Sequence, residues 1–161
     1  MDEACIYLRQ SVSRPPLDAD PDVVVLDGYW GQYMTREHKE LTAAKDGTYL
    51  PPAALTRYCE GRAPEPFAKK WTPAGRIFLP FNVGGKHWVA LEIILSEWTV
   101  YVYDPDVNLY SIQKLKKALL PLLQLLPRVV LGCSHLAPLH SLACNVLKML
   151  RVKTSTRNER A

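Results

Sequence analysis

No apolar run in this sequence is long enough to cross a membrane. The longest candidate, residues 118–126, is short and is broken by Pro121 and Gln124. The opening MDEACIYLRQ is acidic and has no apolar signal core, so no secretory signal is expected. Cysteine is scarce, with four widely spread residues, Cys5, Cys59, Cys133 and Cys144. That usage predicts free thiols in a reducing intracellular setting, nucleus or cytoplasm, where a cysteine is a candidate nucleophile or ligand before it is half of a disulfide. Charge of one sign is also in short supply. The net charge is +4, scattered over Lys69, Lys70, Lys114, Lys116, Lys117 and the segment 151–160, so no nucleic-acid-binding stripe is indicated. No internal repeat is visible. What remains is ordinary globular composition, 48% hydrophobic and 22% charged over 161 residues, enough for one domain with a real core.

Along the chain, residues 1–21 include the proline- and aspartate-rich RPPLDADPD and read as an irregular lead-in. A domain is expected over 22–150 and a polar tail over 151–161. Val23 to Leu26 suggests a brief strand, residues 29–44 a helix, and Pro51-Pro52 followed by AALTRYCEG a second helix that Gly61 ends. RIFLPF at 76–81 is a β-type run, with Pro80 predicting an edge or terminating strand. HWVALEIIL at 87–95 and WTVYVYD at 98–104 are two strand patterns separated by Ser96-Glu97. Residues 109–126 have helical spacing with a kink or end at Pro121. Residues 128–131 suggest a last strand. Residues 139–150 suggest a last helix with His140, Cys144, Leu147 and Arg151 along one face.

His87 opens the first strand of the hairpin and Asp104 closes the second. With a turn centred between Leu95 and Ser96 the two lie directly opposite. With the turn at Ser96-Glu97, Asp104 faces Val89 and His87 becomes its diagonal neighbour. Both even-length turns keep imidazole and carboxylate on one sheet face, and an odd turn would separate them. A carboxylate beside an imidazole fixes the ring's tautomer and stabilises the imidazolium, which lets the ring accept a nucleophile's proton. The plainer alternative is a strand-capping histidine and an aspartate opening an Asp-Pro turn.

The stretch from Trp71 through RIFLPFN, GKHWVALEIIL and WTVYVYDP resembles the catalytic domain of the ubiquitin-like-protein-specific (SUMO) cysteine proteases, closest to the divergent branch found beside plant transposases. Pro80, Asn82, His87, Trp88, Tyr103 and Asp104 carry the resemblance, which covers roughly residues 22–126. It implies an α+β, papain-like fold with a small antiparallel sheet flanked by helices, and a Cys–His–Asp site that needs no cofactor. Position by position it implies His87 as general base, Asp104 as its orienter, and Trp88 as a wall of the channel admitting a modifier's Gly-Gly tail. The implied partner is a ubiquitin-like modifier or its conjugate, cleaved through a thioester. No membrane partner is implied, and neither the resemblance nor the residues set an oligomeric state.

The sequence departs from this family at the nucleophile. The family pattern places a glutamine shortly before Asp-Cys-Gly at a helix start, where the dipole favours the thiolate and the glutamine supports the oxyanion. This chain has no Asp-Cys-Gly and no glutamine after Gln124. Cys144 in LACNVLKML is the nearest candidate, with Ala143 and Asn145 replacing the expected neighbours. The other accounts are a reading frame that stops or splices before the nucleophile, and a dead domain that still binds modifiers. A separate alternative is a small zinc site from Cys133, His135, His140 and Cys144.

Overall fold

The computed structural model describes residues 2–13 and 21–152. Its centre is a five-stranded mixed sheet in spatial order β1–β2–β3–β4–β5, formed by Val23–Val25, Arg76–Val83, His87–Ile94, Thr99–Tyr103 and Lys148–Val152. The three central strands are antiparallel, while β1 runs parallel to β2 and β5 parallel to β4. The expected α+β class therefore holds, with parallel strands added at both edges.

Strict alternation decides which face is buried. Ile77, Leu79, Phe81, Val83, Val89, Leu91, Ile93, Val100 and Val102 point to one side and are almost fully buried. Against that side pack α2 (Gly28–Ala43) and α4 (Ile112–Leu131). Asp27 caps α2 by accepting from the backbone N–H groups of Tyr29 and Trp30, and Ser111 caps α4 through Lys114. The short α3 (Ala53–Cys59) packs on α4. The opposite sheet face is partly covered by α1 (Asp2–Ser13), whose Cys5 and Leu8 border a cleft with Phe78, Pro80 and Ala90.

Several expectations are corrected. The lead-in is not irregular where described, because residues 2–13 form α1; the proline-rich residues 14–20 lie outside the described residues. Pro80 is not in an edge strand. Leu26 N–H donates to the Phe78 carbonyl, so even-numbered residues of β2 turn their backbone towards β1, and β1 has ended before Pro80 is reached. The missing proline N–H thus faces the margin of the sheet left open where β1 stops. Neither Pro121 nor Pro127 ends α4, which continues to Leu131 with eight buried apolar residues holding it down, so residues 128–131 are helix rather than strand. Of the last helix expected over residues 139–150 only α5 (His140–Ala143) forms; a 3-10 turn (Ser134–Leu139) precedes it, and residues 148–150 are strand, the start of β5. Arg151 and Val152, expected in the tail, belong to β5, and residues 153–161 lie outside the described residues. The thiols are not all free, since Cys59 and Cys133 are joined as a disulfide in the core between α3 and the end of α4.

Candidate active site

The β3–β4 register pairs Ala90 with Tyr103 and Ile94 with Thr99, which centres the turn between Ser96 and Glu97. Of the two even-length alternatives this is the second, with His87 and Asp104 diagonal on the core face. Nε2–H of His87 donates to Oδ1 of Asp104 at 2.7 Å. Both groups are buried, the carboxylate completely.

Four further contacts complete the arrangement. The Asp106 N–H donates to the same Oδ1 at 3.0 Å, so the Asp-Pro turn and the imidazole contact coexist. Arg151, arriving on β5, donates through Nη2 to Oδ2 of Asp104 and to the Tyr110 carbonyl, the latter at 2.8 Å. The Tyr110 ring stacks on the His87 ring with centroids 5.6 Å apart. Gly84 makes room for that ring: its φ is +62°, and a Cβ there would stand 3.0 Å from the Tyr110 hydroxyl. Burial pushes the Asp104 carboxyl up, but the donors Arg151, His87 and Asp106 outweigh it and hold the group below its usual range. Among the described residues, Nδ1 of His87 has no hydrogen-bond partner. With Nε2 carrying the proton towards Asp104, Nδ1 offers a lone pair, the state a general base requires.

Trp88 follows His87 on the opposite sheet face and is about one-third exposed. It lines a hollow with Pro80, Tyr103, Asp104 and Pro105. Its far edge abuts the start of α2, where a Cβ on Gly28 would sit 3.3 Å from the indole. The tryptophan therefore borders both the carboxylate turn and the first turn of α2.

Cys144 is not brought to this place. It is exposed and lines a groove with Leu41, Thr42 and Ala44 at the C-terminal end of α2, whereas Trp88 touches the N-terminal end. At 1.5 Å per residue, α2 separates its two ends by about 24 Å. A second ruler agrees. The Asn145 carbonyl accepts from Trp98 Nε1, and the strand from Trp98 to Asp104 spans roughly 20 Å at about 3.3 Å per residue. Hydrogen-bond reach is about 3 Å, so Cys144 and His87 do not interact. Cys59 and Cys133 are consumed by their disulfide, and Cys5 lies under α1 on the other sheet face.

The four candidate zinc ligands do not converge either. Cys133 is in the disulfide, Nε2–H of His135 donates to the Cys59 carbonyl, and that of His140 to the Val130 and Cys133 carbonyls. No group of three or more potential ligands gathers among the described residues. Burial and the nearby Lys70 charge lower the pKa of His135, outweighing its carbonyl hydrogen bond and the Glu60 carboxylate.

Sequence reasoning missed Arg151 and Tyr110. The helical reading of residues 139–150 turned Arg151 towards Cys144, and nothing in the spacing marks Tyr110 as a stacking partner.

A search of curated proteins gave no match, and a search of solved structures gave none. The model of the Ulp1 protease family C-terminal catalytic domain matches residues 4–151, from inside α1 to the penultimate residue of β5. That match spans nearly the whole described chain, including the hairpin with the imidazole–carboxylate pair, and this chain belongs to the Ulp1 protease family, cysteine peptidases acting on ubiquitin-like modifiers.

Proposed function

We propose that this domain engages the Gly-Gly tail of a ubiquitin-like modifier at a cysteine-peptidase site in which His87 is the general base and Asp104 its orienter. The single observation that carries the proposal is the 2.7 Å contact between Nε2 of His87 and the buried carboxylate of Asp104. In the corresponding reaction, Nδ1 takes the proton of a thiol, which the described residues do not supply, and the thiolate attacks the carbonyl of the last glycine. The C–N bond breaks as the imidazolium protonates the leaving amine, and water hydrolyses the thioester to free the Gly-Gly carboxylate and the thiol. Asp104 stabilises the imidazolium without itself taking the proton. Trp88, beside the carboxylate turn and the start of α2, forms one wall of the channel for the tail.

A second reading is favoured by the placement of the cysteines. With Cys144 at the other end of the sheet, the described residues hold the base and its orienter but bring no thiol to Nδ1. This chain by itself then holds a modifier tail without cutting it.

Calorimetric titration with a ubiquitin-like modifier ending in Gly-Gly, and with one lacking those two residues, tests the proposal. Binding that requires the Gly-Gly and falls at least tenfold in Trp88→Ala is expected. Equal binding of both modifiers, or none of either, would overturn it.

A further inference from the structure

The residue that most closely constrains the pair is on neither strand of its hairpin. Arg151 sits on β5, opposite Val102 in the parallel β4–β5 register, and its side chain is 15% exposed. A single nitrogen, Nη2, donates both to Oδ2 of Asp104 and to the Tyr110 carbonyl. The second contact fixes the backbone of the residue whose ring stacks on His87. One guanidinium therefore touches both walls of the imidazole's seat.

Its chemical consequence follows from the two carboxylate oxygens. Oδ2 is occupied by Arg151, so the only carboxylate oxygen turned to the imidazole is Oδ1. An unrestrained carboxylate rotates about its terminal bond, a broad torsion, and presents either oxygen. Arg151 stops that rotation and balances the buried negative charge, which would otherwise carry a large desolvation cost.

We propose that Arg151 is a positioning residue for the site. By occupying Oδ2 of Asp104 and the Tyr110 carbonyl, it locks His87 in the tautomer protonated at Nε2, with its lone pair at Nδ1. The inference rests on the proposed base role of His87, and it makes strand β5 part of the acid–base machinery. Pairing of β5 with β4 and readiness of the imidazole then become one event.

The test is imidazole nitrogen NMR on the intact chain carrying ¹⁵N-histidine, at a pH where the ring is neutral, for the wild type, Arg151→Met and Arg151→Lys. The wild type is expected to give His87 as one tautomer with the proton on Nε2. Arg151→Met should raise the Nδ1-protonated fraction several-fold, and Arg151→Lys should restore most of the wild-type signal. An Arg151→Met protein with a lower melting temperature but an unchanged tautomer would overturn the proposal and leave Arg151 a strut. If Arg151→Met does not fold, Arg151→Gln is read in the same way, and an unchanged tautomer there is equally decisive. The readout needs neither thiol nor modifier, so its failure is distinguishable from a failure of modifier binding.

Discussion

The two ends of the β3–β4 hairpin are held by different physics. At the open end, the buried Asp104 carboxylate is paired with the partly buried Arg151 guanidinium, His87 is hydrogen-bonded to the same carboxylate, and the contacts are polar and directional. At the turn end, Trp98 is buried to 4% exposure in the core, and its indole N–H donates to the Asn145 carbonyl. That contact delivers the chain to β5, whose first backbone N–H, on Lys148, donates to the Trp98 carbonyl. One end is assembled by packing and the other by charge, and the exposed cysteine sits at the packed end. Chemistry that depends on orientation belongs at the charged end.

Four substitutions or conditions would break or sharpen this contrast. The largest effect is expected for Trp98→Ala, which removes a buried aromatic and the anchor of Asn145; urea unfolding should show a loss of about 4 kcal/mol. Asp104→Ala comes next. Removing the carboxylate leaves the partly buried Arg151 cation without its counter-charge and the His87 Nε2–H without its acceptor, so a loss of about 3 kcal/mol is expected in the same assay.

The acid limb separates the ends by sign. Asp104 is held below its ordinary value of 3.8, so its stabilising contribution is fully present above that value and is lost as the pH falls through the lower folded value. Asp104→Asn should flatten the decline of the urea midpoint at the acid end, and Trp98→Phe should leave the slope as it is. The smallest effect belongs to Cys144→Ser. An exposed thiol outside the core should change stability by no more than about 0.5 kcal/mol.

The hairpin was legible because its information is local. Two β-rich runs with period-2 burial and an even-length turn place His87 and Asp104 on one face in either register, and the structure takes one of the two anticipated. Trp88 and Pro80 were legible as members of the family pattern, although Pro80's place beside a shortened neighbour was not. The region after Leu131 was not legible, because its fate is settled by distant partners. Residues 148–152 have apolar positions compatible with helix or strand, and they become a strand because β4 leaves an open edge and Trp98 seizes Asn145. Arg151 was lost with that misreading. The Cys59–Cys133 bond was hidden for a similar reason, since only the packing of α3 on α4 brings together two cysteines 74 residues apart. For α1, the proline-rich stretch that follows masked the spacing of Cys5, Leu8 and Val12, which line the cleft against the sheet.

The separation of the imidazole–carboxylate pair from the exposed thiol decides whether the described residues can cut a modifier or only hold it. Intact-mass analysis after incubation with a ubiquitin-like modifier carrying a C-terminal electrophile measures it directly. Unmodified protein is predicted, even where the plain modifier binds. A stoichiometric adduct mapped to Cys144, abolished by His87→Ala, would mean that the two groups meet at one site and would contradict it.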